Sequence, residues 1–333
     1  MLKCPYFLAN RPDEQMLLPD ALTDILQTIH LQSTILGTAH FTSPWSIRIP
    51  NDEEDEASIH VVMQGQCWLL LQEQSQHIPL KTGDLVILLQ SQEHVICDDP
   101  ASPIVELKEV IAVKPDPGYK RIAFGGDGSL TQLVSGTFKF RGDRYRNPLL
   151  SALPPLIHIK NEAGRFVPWL ETTLQFIAAE IAINQLGCQC VLSRLADVLL
   201  IQAVRAYIAE LPVDRGYWLR ALTDIEIGIA LSLMHHYPNR SWTVASLAEQ
   251  IPMSRSAFAE RFTRLVGEPP MQYLTSWRMV KAANLLQDSQ VGIRDIAEQV
   301  GYASEVAFSK AFKRWAGIAP GIYRRKACLT TGV

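Results

Sequence analysis

Val244-Ala-Ser-Leu-Ala-Glu-Gln-Ile251 and Ile293-Arg-Asp-Ile-Ala-Glu-Gln-Val300 are two versions of one stretch, 49 positions apart, with Ala, Glu and Gln at matching places. Downstream the offset becomes 50 and the matches continue: Ser254 with Ser304, Ala257 with Ala307, Phe258 with Phe308, Phe262 with Phe312, Arg264 with Arg314, Gly267 with Gly317, Pro270 with Pro320 and Tyr273 with Tyr323. The one inserted residue falls where a turn is expected, Ile251-Pro-Met-Ser254 against Val300-Gly-Tyr-Ala-Ser304. A repeat that keeps its apolar positions and confines its length change to a turn is one small unit used twice.

Each copy predicts a short helix, a turn and a second helix. Gly301 suits a left-handed helix end, and Ser254 and Ser304 suit the N-caps that follow. On the second helices Phe258, Phe262 and Leu265, and in the repeat Phe308, Phe312 and Trp315, recur at i, i+4 and i+7 and turn inward. The outer faces are left to Arg255, Ser256, Ala259, Glu260 and Thr263, and to Glu305, Val306, Ser309, Lys310 and Lys313. Short polar and long basic side chains on an exposed helix fit a DNA major groove about 12 Å wide. One copy alone reads more readily as ordinary all-α packing; two in one region favour DNA. Met271–Gln287 predicts a connecting helix of roughly 25 Å, able to set the two reading helices on successive groove turns about 34 Å apart.

Composition agrees. The 333 residues are about twice a typical domain, 47% hydrophobic and 20% charged, which excludes disordered, fibrous and membrane-spanning classes. The net charge of −3 hides an asymmetry: residues 223–333 carry 13 Lys and Arg against 9 Asp and Glu, whereas residues 1–150 carry 12 against 19. A polyanion partner is therefore expected for the C-terminal part alone. Cys4, Cys67, Cys97 and Cys328 are isolated and Cys188 and Cys190 are spaced C-x-C, which matches neither a disulfide framework nor paired zinc ligands and fits a reducing cytoplasm. The N-terminal MLKCPYFLANRPDEQ has no apolar core for a signal peptide, and no apolar run reaches membrane-spanning length, so a cytoplasmic protein without membrane contact is expected.

Upstream, STILGTAHF, IHVVMQG, QCWLLLQ, LVILLQ, HVICDD and TQLVSGTFKF are short apolar runs at roughly ten-residue spacing between turn signals, the pattern of an antiparallel sandwich or barrel. The acidic run Asn51–Glu56 reads as a solvated loop. Asn147-Pro to Leu153-Pro-Pro155 marks a boundary. Trp169–Leu186 and Val191–Leu211 then carry apolar residues at helical spacing; packing on the β domain and packing on a second copy are both open readings. The expected organisation is an α+β chain: a β-barrel over 20–146, a helical linker or dimerisation segment over 147–222, and an all-α domain over 223–326 with helix-turn-helix units at 244–265 and 293–316.

These residues resemble the AraC-type helix-turn-helix domain of bacterial transcription regulators over about 100 residues. The matching motifs are A-x-x-x-x-M-S-R-S-A-F-x-x-x-F from Ala248, G-E-P-P-x-x-Y-L from Gly267, W-R-M-x-x-A from Trp277 and I-A-x-x-V-G-Y-x-S-E-x-A-F-x-x-x-F-K-R from Ile296. The resemblance implies that one chain uses both reading helices on double-stranded DNA, with an N-terminal domain that senses a signal and forms a homodimer, and RNA polymerase as a partner if the outcome is activation. In relatives the first reading helix dominates base contacts; here Ala259 and Glu260 lie on that face, which confines bidentate Arg contacts to Arg255 and its neighbours.

Leu80–His94 resembles the second motif of a cupin barrel, G-x5-P-x-G-x2-H-x3-N from Gly83, but Leu89, Ser91 and Asp98 replace Pro, Gly and Asn. The first motif's His-x-His pair and Glu are missing ahead of Gly65, the Glu position falling near Ser58. His94, with His60 two strands away, is too small a donor set for zinc or a transition metal, so neither metal nor cofactor nor enzyme chemistry is expected. Some relatives carry Cys at the position of Ser135 in Leu133-Val-Ser-Gly136; a serine cannot follow that thiol oxidation chemistry. Trp45, His60, Trp68 and His94, with Cys67, are candidates to line a cavity for an unknown small molecule. The competing reading makes the tryptophans core, Cys67 and Cys97 inert small hydrophobes, and His94 a structural hydrogen-bonding residue. A metal-dependent cupin enzyme and a protein-interaction scaffold are the alternatives to a DNA-binding regulator.

Overall fold

The computed structural model describes residues 20–50, 56–71, 76–89, 92–113, 121–141, 147–161, 167–212, 217–288 and 291–330. Cys4, the N-terminal stretch and nearly all of the acidic run Asn51–Glu56 lie outside them. In chain order the elements are α1 (Ala21–Gln27), β1 (His30–Thr42), β2 (Ser46–Ile49), β3 (Glu56–Gln64), β4 (Gln66–Leu71), β5 (Gln76–Lys81), β6 (Leu85–Leu88), β7 (His94–Cys97), β8 (Val105–Glu106), α2 (Leu107–Val113), β9 (Arg121–Gly125) and β10 (Leu130–Arg141). There follow α3 (Pro148–Ala152), β11 (Leu156–Ile159), α4 (Pro168–Ile183), α5 (Cys188–Glu210), α6 (Tyr217–Ala221), α7 (Ile225–His236), α8 (Val244–Ala248), α9 (Arg255–Val266), α10 (Pro270–Asp288), α11 (Ile293–Gln299), α12 (Glu305–Ala316) and α13 (Pro320–Thr330). The chain divides into two compact units. A β unit takes residues 30–144 and 153–210, and a helical unit takes residues 1–29, 145–152 and 211–333.

In the β unit a six-stranded sheet, ordered β11-β6-β3-β10-β1-β9, faces a five-stranded sheet, ordered β5-β4-β7-β2-β8. Ala39, Phe41, Val62, Val86 and Leu133 from the first meet Ile47, Leu69, Leu80 and Ile96 from the second in one apolar core. The expected barrel is corrected to this extent: β11 and β9 end one sheet, β5 and β8 end the other, and the strands form an open sandwich, not a closed cylinder. The long pairings β1 with β10 and β10 with β3 hold the first sheet, with a bulge between Ile35 and Gly37. Gly83, kept from the cupin motif, sits at φ +92°, where a Cβ would meet Asn161 Nδ2 at 2.5 Å. Asn161 in turn donates from its backbone N–H to Asp84 Oδ1 at 2.8 Å, which ties the β5–β6 turn to the end of β11.

The two middle helices pack on the sandwich: α5 lies against β1 and β11, and α4 lies against α5. Leu170, Leu174, Ile177 and Ile181 of α4 and Leu192, Ala196, Leu199 and Ala203 of α5 form the buried faces. Ser33 Oγ and Asp197 hydrogen bond across that contact.

In the helical unit α1 docks on α7. Asn284 Nδ2 donates to the Thr28 carbonyl at the end of α1 (2.9 Å), and Asn147 Oδ1 accepts from Leu149 N–H and Leu150 N–H to cap α3. The six helices α8–α13 are two tri-helical sets, α8–α10 and α11–α13, and α10 of the first also packs on α11, α12 and α13 of the second.

Candidate functional site

The repeat builds the helical unit's outer surface from its caps and aromatics. Ser254 Oγ accepts from Ala257 N–H at 3.3 Å and Ser304 Oγ from Ala307 N–H at 3.4 Å, so α9 and α12 start at equivalent residues. Both end in a left-handed glycine, Gly267 and Gly317. Phe258 and Phe262, and Phe308 and Phe312, are fully buried and stack edge-on or tilted at 5.6–5.7 Å between ring centroids. In the next turn Trp315, half-buried, packs on the second core as expected, whereas in the first set Val266 is buried and Leu265 only half-buried. In the second turn Gly301 has φ +85°, and a Cβ there would meet Asn239 Cα at 2.8 Å and Pro238 O at 3.0 Å.

With the aromatics inside, Arg255, Ser256 and Glu260 of α9 and Glu305, Val306, Lys310 and Lys313 of α12 are exposed; Ala259, Thr263 and Ser309 are half-buried. Thr263 Oγ1 gives its proton to Ala259 O at 2.7 Å and so faces outward only as an acceptor. Val306 is 65% exposed, an apolar group standing among charges. Two further basic residues, Arg264 and Arg314, are exposed on the last turns of the same helices. Sequence reasoning left them off the outer face, although their recurrence at the offset of 50 was available as a signal.

Other basic residues are structural. Arg261 reaches Asp224 at 2.6 Å and Glu226 at 3.3 Å, fastening α9 to the start of α7; its guanidinium is held above its ordinary pKa, first by the hydrogen bond to Asp224. Arg278 donates to Pro238 O and Arg240 O, and Arg324 to Val291 O at 2.6 Å. Inside the first set His235 stacks on Trp277 at 3.9 Å and bonds Tyr273 Oη at 2.7 Å, and burial pushes its pKa down to about 3.

The β unit holds a cavity of about 210 Å³. Ala39, Phe41, Ile47, Ile49, Ile96, Leu107, Ile111, Ile122 and Leu133 form its walls, and Ser58, His60, Ser135 and Thr137 line it along β3 and β10. Of the four sequence candidates only His60 is on this wall. Trp45 is buried in the core against Phe41, with 4.6 Å between ring centroids, and Trp68 is half-buried on β4. His94 is buried behind His60. The two histidines come from opposite sheets and meet, Nε2 to Nε2, at 2.9 Å, a contact that the linear separation of β3 and β7 concealed. Leu107 and Ile111 of α2 and Ile122 of β9 were not foreseen, because nothing local marks them.

Hydrogen-bond logic fixes the protons along this line. His94 Nδ1 lies 2.8 Å from the Gln92 carbonyl, which can only accept, so Nδ1 carries the proton and Nε2 is an acceptor. His60 therefore donates from Nε2 to His94, its Nδ1 is bare, and the Ser135 hydroxyl donates to that nitrogen at 2.9 Å. Burial holds His94 down to about 4, and burial together with the neighbouring His94 holds His60 well below its usual value, so the pair is neutral near pH 7. The donors do not fit a cupin metal: each Nε2 is engaged by the other, and among the described residues no group of three His, Cys, Asp or Glu could hold an ion. Cys67 and Cys97 are buried, and burial pushes both thiols up to about 12, which keeps them from acting as thiolates. Among the described residues no helix is long and apolar enough to cross a membrane.

The chain matches the cupin family over residues 20–209 and a helix-turn-helix domain over residues 247–326. It is 34% identical over 309 residues to the HTH-type transcriptional regulator AlkR of Acinetobacter baylyi, spanning 92% of this chain and 100% of AlkR. An AraC-like transcription regulator of Streptomyces lividans is 32% identical over 308 residues, 92% of this chain and 98% of that one. Among solved structures, the DNA-binding domain of AdpA in complex with a target DNA is 31% identical, covers 30% of this chain and 90% of that one, and has a TM-score of 0.29. A cupin-family domain followed by a doubled helix-turn-helix, with relatives of this similarity along nearly their whole length, makes this chain a member of the AraC-like family of DNA-binding transcription regulators.

Proposed function

We propose that α9 and α12 enter adjacent major grooves of one duplex, and that the chain regulates transcription as a homodimer under the control of a small molecule held in the β unit. The observation that carries this reading is the pair of matched helices, capped by Ser254 and Ser304 and locked by buried Phe pairs, whose exposed faces carry Arg255 and Lys310. In this reading Arg255, Ser256, Ala259, Glu260 and Thr263 face one groove, and Glu305, Val306, Ser309, Lys310 and Lys313 the next. A selection from random duplexes with the full chain tests it: a preferred sequence with two elements about one helical turn apart is expected, with affinity falling steeply as salt rises. Failure to enrich any sequence overturns it.

Dimerisation is supported by the outward faces of α4 and α5. Phe176 and Ile183 are each 62% exposed at i and i+7, Val191 and Val198 of α5 repeat the same spacing, and Leu186 stands fully exposed between the helices. Apolar residues at heptad spacing on two neighbouring helices form the seam that a second copy covers. A signal at the β unit has a covalent route to the reader. The helix α1 belongs to the helical unit and leads directly into β1, whose Gly37–Phe41 segment lines the cavity. Coupling of a few kcal/mol through such a link suffices for regulation. RNA polymerase is the further partner where the outcome is activation. Catalysis has no part in this reading, because only His94 is kept of the cupin motif histidines, and it is bonded to His60.

A further inference from the structure

We infer that the cavity of the β unit takes a neutral, hydrocarbon-rich molecule of about eight or nine non-hydrogen atoms bearing at most one hydroxyl, and that this hydroxyl donates to Ser135 Oγ. The inference rests on reading the β unit as the sensor and adds the chemical class of what it senses. Size comes first: an apolar cavity of about 150 Å³ accommodates benzene, so 210 Å³ has room for a molecule a few carbons larger. Charge comes second. Among the described residues that line the cavity none is Asp, Glu, Lys or Arg, and the one titratable side chain, His60, is buried and neutral. A carboxylate or ammonium brought there would lose its water without gaining a counter-charge.

The polar edge sets the third property. The proton order along Gln92, His94, His60 and Ser135 is dictated from the carbonyl end, so the Ser135 hydroxyl has already spent its proton on His60 Nδ1. What it offers the cavity is oxygen lone pairs, an acceptor and not a donor. A ligand hydroxyl satisfies that acceptor; a ketone or ether oxygen placed against Ser135 Oγ does not. A sugar, with a donor and acceptor on nearly every carbon, would leave most of them against Ile47, Ile96, Ile122 and Leu133.

Three probes of one shape separate the terms: ethylbenzene, 2-phenylethanol and phenylacetate, titrated calorimetrically into the full chain at pH 7.5. The expected order is 2-phenylethanol first, ethylbenzene several-fold weaker, and phenylacetate at least tenfold weaker than the alcohol, with a negative heat-capacity change for the two neutral probes. Ser135→Ala should weaken 2-phenylethanol about three- to tenfold and leave ethylbenzene within about twofold. A merely structural role for Ser135 would move both alike. Ala39→Phe fills the cavity and should abolish binding of both neutral probes; Ile111→Phe serves the same end if that variant does not fold. Phenylacetate binding as tightly as the alcohol, neither neutral probe binding, or equal effects of Ser135→Ala on both would overturn the inference. Duplex binding measured on the same preparation keeps the two readings apart: DNA binding without probe binding sinks the ligand class alone, and probe binding without DNA binding sinks the regulator.

Discussion

The two tri-helical sets share a scaffold and differ in what they add to it. Each buries a Phe pair at the same two positions, and each holds the hydroxyl of an equivalent tyrosine. In the first set Tyr273 is bonded by His235; in the second Tyr323 is bonded by Gln287 Nε2 at 3.1 Å. The first is fastened to α7 by the Arg261 pairs, whereas the second has Arg324 donating to Val291 O. Outside, α9 presents Arg255 near its start and Glu260 further along, while α12 presents Lys310, Lys313 and a bare Val306. Duplication kept the residues that define the shape and released those that touch solvent, so one geometry presents two different outer faces.

The largest effects should come from the shared scaffold. Phe258→Ala or Phe308→Ala should cost about 3–5 kcal/mol, seen as a lower denaturation temperature and as loss of footprint protection over one half of the site only. If each abolished protection of both halves, the sets would not be separable. Acidification should split them next. The unfolded-state value for His235 is near 6.5 and the folded value about 3, so its contribution is complete above pH 6.5 and is lost as pH falls below it. At pH 5 the loss is about 2 kcal/mol. Hydrogen exchange at pH 5 should therefore show α9 opening before α12, since Gln287 does not titrate; the reverse order would refute the assignment.

On the outer faces Arg255→Ala and Lys310→Ala should each weaken specific binding by about 1–3 kcal/mol if they reach base edges. A loss equal on all sequences would make Lys310 a phosphate contact and leave base reading to α9. The smallest expected effect is Val306→Ala, about 0.5–1 kcal/mol, from contact with a thymine methyl. Replacing thymine by deoxyuridine in the selected sequence should cost the same amount and add nothing further in the variant.

What was legible in the sequence follows the same division. The helix-turn-helix units were readable because their determinants are local: Phe at i and i+4, a cap serine, a turn glycine, all within about 20 residues. The strands β1, β3, β4, β6, β7 and β10 were readable as apolar runs. Five were not: β8 has two residues, β5 contains Pro79, β9 alternates only between exposed and half-buried positions, and β2 and β11 break their short apolar runs with Arg48 and His158. The cavity was least legible. Its wall gathers Ala39, Ile49, Ser58, Ile96, Ile111 and Ser135 from six elements, none marked by its neighbours. Choosing the tryptophans favoured residues that fill space over those that leave it, and in an apolar interior the large aromatic Trp45 became packing. The His60–His94 contact joins two sheets, and its existence depends on how they face each other, which no spacing encodes.

Under the proposed two-groove reading, helix α10 sets a limit on every operator. Helix α10 gives Tyr273 and Trp277 to the first core and Met279, Ala282, Ala283 and Leu286 to the second, so a single 19-residue rod is cemented into both. It acts as a ruler. Adding one base pair between the two half-elements would rotate them by about a tenth of a turn, and the rod has no joint with which to follow. With both helices on one duplex, as proposed, its targets would be free to drift in letters but not in spacing.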